Sequence, residues 1–149
     1  MSEVHSTSHL SSSSQLSPSH SVRSSLLDTQ NHSYAWRPAT DDSHPWLQLD
    51  LDDVKVIVKV ATQGHADVTE GQWVASYKLQ TSFRGDLEFV LDQTGMEMIF
   101  GGNSDSVAVV ENFLDFVQAN RIRLLPETCH EIALRWDVYT LPYDDGMSM

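Results

Sequence analysis

At 149 residues the chain is long enough for one domain with a real core and too short for two. Nine basic residues against twenty-one acidic ones give a formal net charge of −12, which repels phosphate backbones and anionic headgroups, so no nucleic acid is expected as a partner and an anionic membrane is disfavoured. A single cysteine, Cys129, rules out an intrachain disulfide and is expected to be a small packed hydrophobe. The chain has no run of eighteen apolar residues and no apolar segment in its first twenty, so neither a transmembrane helix nor a secretory signal is read from it. The expected setting is extracellular or cell surface for a domain of a longer or non-classically exported protein, with the cytoplasm as the alternative.

Taken in order, residues 1–14 are rich in serine and poor in residues to bury, which predicts a disordered tail ahead of a domain at 15–142. Trp36, flanked by extended segments, is expected to plug the core. From Trp46 to Leu51, leucines alternate with Gln48 and Asp50, the period of a strand with one buried face. Val54, Val56, Val58 and Val60 repeat the period, with Lys55 and Lys59 pointing the other way. Residues 64–71 form a polar loop. The next strand starts at Trp73, with Trp73, Ala75, Tyr77 and Leu79 sharing one face. Alternation resumes at Leu87, Phe89 and Leu91, and Met96–Phe100 reads as a further short strand. In the loop 101–106, Asn103 and Asp105 are expected to shape Asx turns. Ile132, Leu134, Trp136 and Val138 alternate in the last strand, and residues 143–149 are expected to be a loose tail. The predicted core between two antiparallel sheets is Leu47, Leu49, Val56, Val58, Leu79, Phe89, Ile122, Leu124, Ile132 and Leu134.

Several of these segments together resemble the discoidin domain, also called the coagulation factor V/VIII type C domain. WLQLDL at 46–51, VATQGHAD at 60–67 and QWVASYKLQ at 72–80 follow its order and spacing. ANRIRLLP at 119–126 and EIALRWDVY at 131–139 are similar to two more of its segments. The resemblance implies an all-β, galactose-binding-domain-like fold, a discoidin-like jelly-roll β-sandwich of two antiparallel sheets. It implies a hairpin with Gly85 at a positive φ and a strand arginine, Arg135, paired with a carboxylate such as Asp50. It also implies a calcium site near residues 28–33, with Asp28, Asn31 and Ser33 as candidate oxygen ligands and calcium as the one candidate cofactor. The terminal cysteines of secreted relatives are absent here, so terminal pairing is expected to rest on strand hydrogen bonds and burial. His65 stands where the family's loop arginine stands.

No nucleophile elbow, paired His-Glu-x-x-His or phosphate-binding glycine loop is present, so the chain reads as a binding module and not an enzyme. The family binds sugars, lipid headgroups or protein receptors through loops at one end of the sandwich. A glycan or glycoprotein is the expected partner, in a lectin-like or cell-adhesion role. Asp41, Asp42, His44, His65, Asp67 and Trp73 supply the hydroxyl-binding groups and the aromatic face that sugars need. The expected site joins the loop 40–46 to the loop 64–73, with oligomerisation or repetition supplying avidity. The runner-up partner is a cell-surface receptor such as an integrin, reached through Arg84-Gly85-Asp86. Phosphatidylserine ranks third.

Overall fold

The computed structural model describes residues 2–3, 9–27, 35–65 and 72–143, and these residues form an antiparallel β-sandwich. The strands are β1 Ser2–Glu3, β2 Leu10–Ser12, β3 Leu47–Gln63, β4 Trp73–Ser82, β5 Glu88–Phe89, β6 Phe100–Gly101, β7 Val110–His130 and β8 Arg135–Pro142. Hydrogen bonding runs through the order β1-β8-β3-β7-β4-β5, with β2 added on β3 and β6 on β4. Two strands dominate, β3 with 17 residues and β7 with 21. They pair with each other along most of their length, but the register shifts between Asp50 and Lys55 and again between Ile57 and Lys59. A shifted register bends a strand and increases its twist. Each long strand thereby contributes to both layers, which are joined through it. Residues 47–50 of β3 lie between β2 and the 121–124 part of β7, and β4 follows. Residues 55–63 lie between the 110–119 part of β7 and β8.

The core is one cluster. Leu47, Leu49, Leu79, Ile122 and Leu124 meet Ile57, Val60, Leu114, Trp136 and Val138, and Trp36 is fully buried among them as expected. Trp36 is held twice, by a backbone bridge to Leu134 and by its indole N–H, which donates to the Ser14 carbonyl at 2.9 Å.

The shifts correct parts of the predicted register. In β3, Ile57 is fully buried while Val56 is only half-buried, because the irregularity at Val58 turns the alternation over, and outside β3 the expected core residues Phe89 and Ile132 are also only half-buried. In β4, irregularities on both sides of Ser76 place Val74 with Tyr77 and Leu79 inside, and leave Trp73 and Ala75 half-buried. Burial pushes the Tyr77 phenol up to about 12, against a weaker opposing effect of the Asn112 amide that donates to it. The strand expected at Met96–Phe100 is reduced to a Leu91–Glu97 bridge and the two residues of β6.

Of the expected tail to residue 14, residues 9–14 are ordered and join the fold. Leu10 pairs opposite Leu49 and packs on the core, while the hydroxyls of Ser13 and Ser14 bond to the loop that precedes β3. Serine-rich sequence is ordered here because its hydroxyls find fixed acceptors. Arg135 does not pair with Asp50. Its Nε donates to the Gly64 carbonyl at 2.9 Å, and Asp50 instead meets Arg121 at 3.2 Å. In the loop 101–106 Asp105 makes the expected Asx turn, accepting from the amides of Val107 and Ala108, whereas Asn103 is buried and bonds Thr62 and the Ala108 carbonyl instead. The expectations for Asp28, Asn31, Ser33, Asp67 and residues 144–149 lie outside the described residues, as does that for the side chain of Cys129.

Candidate functional site

The end of β3 and the start of β4 are tied by a bridge in which the His65 amide donates to the Gln72 carbonyl at 2.9 Å. Gly64 permits this approach, since a Cβ there would meet the Gln72 carbonyl and lie 2.9 Å from the Trp73 Cβ. His65 is buried, with its Nδ1 3.3 Å from Gln72 Oε1 and its ring edge-on to His20 at 6.1 Å. His20 is held by Ser17, whose hydroxyl lies 2.8 Å from its Nδ1, and its carbonyl accepts from the Arg37 amide. Burial, then the Arg37 charge, pull the His20 pKa below its ordinary value.

Above the two histidines lies a charged group that sequence patterns did not reveal. Glu131 sits at φ 54, in the left-handed region, with its side chain 62% exposed. Its Oε2 accepts from Gln72 Nε2 at 2.9 Å and lies 3.6 Å from Arg37 Nη2. Arg37 is fixed in turn by donation from Nε to the Ile132 carbonyl at 3.3 Å. An exposed carboxylate, a guanidinium and an amide thus converge at the start of β4, where Gln72 precedes the half-buried Trp73. Such a group can exchange hydrogen bonds with vicinal hydroxyls. Nothing in the sequence around Glu131 announces a positive φ, since glutamate rarely adopts one.

The loop 40–46 is placed in other company. Asp41 is exposed on a turn. Asp42 is a structural residue: its Oδ2 accepts from the hydroxyls of Ser13 and Ser14, each at 2.6 Å, and its Oδ1 from the His44 amide at 3.1 Å. The two serine hydroxyls hold its carboxyl below the usual range. His44 is exposed beside a cleft of about 320 Å³ lined by Pro45, Lys78, Phe89 and Glu127. The structure therefore sets His65 against Gln72 and His20 and places His44 in a separate cleft.

The Asp42 arrangement predicts a pH signature. The folded pKa is lowered relative to the unfolded chain, so the carboxylate stabilises the fold above the ordinary carboxylate pKa and this contribution is lost as pH falls through the lowered value. Asp42→Asn should cost about 1 kcal/mol at pH 7, discounted because the group is partly solvated. Melting curves of both proteins should converge on acidification.

Arg84, Gly85 and Asp86 are all exposed at the turn after β4. The positive φ falls on Arg84, at 60°, and not on Gly85, because the Ser82 hydroxyl captures the Gly85 amide at 3.0 Å and the Asn120 side chain captures the Arg84 amide at 3.2 Å. This turn lies at the far end of β4 from Trp73, about 30 Å along the strand. Among the described residues no group of three or more His, Cys, Asp or Glu is placed to hold a metal ion, and no helix is long and apolar enough to cross a membrane.

Comparison with known proteins bears on what this geometry serves. The model of the F5/8 type C domain matches residues 9–138. Mouse retinoschisin is 40% identical over 116 residues, which cover 75% of this chain and 51% of that protein. The chain thus spans about half the length of the curated relatives it matches. Among solved structures, discoidin II of Dictyostelium discoideum superposes with a TM-score of 0.78 at 26% identity, over 98% of this chain and 61% of that one. A family 32 carbohydrate-binding module from NanJ of C. perfringens, solved with galactose, shares the fold with a TM-score of 0.66 at 14% identity, over 91% of this chain and 96% of that one.

Proposed function

The chain belongs to the F5/8 type C domain family, and on that premise we propose that it is a non-enzymatic glycan-binding module with an adhesion role. The observation that carries this reading is the convergence of Arg37, Gln72 and Glu131 at one end of the sandwich. A carboxylate held by one hydrogen bond and one ion pair at a strained backbone position resembles a preorganised acceptor, and preorganisation lowers the ordering cost of binding. The galactose complex of the fold neighbour supports the ligand class. His65 acts beneath the site by fixing Gln72, while Trp73 supplies the apolar face. A single sugar exchanges its hydrogen bonds with water almost evenly, so affinity should be roughly millimolar, and clustering of domains would raise it. An extracellular or cell-surface setting belongs to the same reading.

A glycan array, run with and without calcium, tests it. Wild type should bind one class of glycan, and Arg37→Ala should lose about tenfold or more in affinity while keeping its melting temperature within a few degrees. Equal binding by Arg37→Ala would remove the site from this place. The exposed Arg84-Gly85-Asp86 turn supports a second reading as a receptor ligand. A wild type that binds no glycan, yet holds to integrin-bearing cells unless Asp86→Glu is introduced, would move the function there.

A further inference from the structure

An open groove lies away from the Arg37, Gln72 and Glu131 group. It has a volume of about 740 Å³ and is lined by Leu91, Met98, Phe100, Phe113, Leu114 and Val117, with Asp92 and Asp115 at its rim. Much of this apolar surface faces water: Phe113 is 70% exposed, Leu91 54% and, beside the groove, Phe116 62%. Single exposed apolar residues are ordinary, but a contiguous set around a groove marks an interaction surface. Phe116 also sits at φ 49. A bulky side chain is rarely found there, and such strain persists only where surrounding structure imposes it. Here the register shift between the Lys59–Phe113 and Ile57–Val117 pairs places Leu114, Asp115 and Phe116 across from Val58 alone. The excess bulges outward with Phe116 on it. Residues 110–119 have β3 on one side and, among the described residues, no strand on the other.

The charge around the groove selects the occupant. None of the residues that line it is basic, and two are aspartates. The Thr94 hydroxyl and amide, with the Met96 amide, fix the Asp92 carboxylate at the rim. Lys59 approaches the Phe113 ring at 5.6 Å but is paired with Glu111 at 2.8 Å and lies over the Tyr139 ring. The chain as a whole carries −12. An anionic bilayer is repelled by such a face, and a second copy would bring the same acidic rim against it.

We propose that this groove is a docking surface for a cationic amphipathic segment of a partner protein, with apolar side chains filling the groove and Lys or Arg side chains meeting Asp92 and Asp115. It is independent of the glycan reading, since the residues of the two places do not overlap.

The test uses the full chain and a labelled synthetic peptide of repeating Leu and Lys, followed by fluorescence anisotropy. A Leu and Glu peptide is the charge control. Wild type should bind the cationic peptide and not the acidic one. Phe113→Ser with Phe116→Ser should weaken binding by about tenfold at unchanged net charge, as loss of aromatic anchors does. Asp115→Asn should weaken it less, and most visibly at low salt. Both changes are at exposed positions, so the melting curve checks that the fold is kept. Equal binding by the double-Phe variant would overturn the proposal, because attraction would then be charge alone. It would also be overturned by binding to neutral phosphatidylcholine vesicles, or by self-association of wild type, that the double-Phe variant loses.

Discussion

Replacing Gly64 by alanine should destabilise the domain by about 3 kcal/mol and dismantle the His65–Gln72 end of the sandwich. The added Cβ has nowhere to go. It runs into the Gln72 carbonyl and lies 2.9 Å from the Trp73 Cβ and 3.0 Å from the Ser106 Cα. Two of these three contacts are backbone, which cannot rotate away. Relief requires separating the end of β3 from the start of β4, which breaks the His65–Gln72 bridge and moves the carbonyl that accepts from buried Arg135. For a domain of this size the melting temperature should fall by roughly 6 to 12 °C. Gly101→Ala is the control, since a Cβ at Gly101 meets nothing within 4 Å. Equal melting temperatures for the two variants would show that the β3–β4 approach is not tight.

Trp36→Ala should cost more, about 4 kcal/mol, as large buried aromatics do when truncated. The side chain is fully buried and the cavity would open between Leu134 and the start of β3. The Ser14 carbonyl would also lose the indole donor. That carbonyl belongs to the segment that fixes the 40–46 loop, since the Ser14 hydroxyl accepts from the Ala39 amide at 2.9 Å and donates to Asp42. Thermal denaturation should show a drop of roughly 8 to 16 °C. Trp36→Phe should recover part of it by refilling volume without restoring the bond. A Trp36→Ala protein that melts with wild type would contradict the packing.

These two residues illustrate what the sequence could show. Trp36 was legible because a tryptophan between extended segments has few places to go but the core. The alternating leucines of β3 were legible because period two with one apolar face admits one solution, and Leu47, Leu49 and Leu79 are buried accordingly. The reversal at Val56 and Ile57 was not, because β3 holds valine or isoleucine at both positions and its irregularity depends on its pairing with β7 and β8. The same holds for Trp73. Alternation put it on the inner face with Tyr77, and irregularities around Ser76 leave it half-buried at the start of β4.

At the site, residue type was a partial guide. His65 stands beside the site as a buried support. Asp42 was chosen for its carboxylate, and three donors inside the protein occupy that carboxylate. Glu131 escaped notice because its reach depends on a left-handed backbone and on Gln72 and Arg37, which are 59 and 94 positions away in sequence and converge only in the fold. Local patterns report what a residue can do, whereas tertiary pairing decides whether its polar atoms are already used.

Titration of the isotope-labelled protein with the glycan that it binds on the array, followed by amide and side-chain chemical shifts, separates the two clefts. Saturable shifts are expected at roughly millimolar ligand, concentrated on the Arg37, Gln72, Trp73 and Glu131 signals, with the Lys78 and Phe89 signals of the His44 cleft unmoved. Shifts confined to that cleft would contradict the placement of the site at Arg37, Gln72 and Glu131.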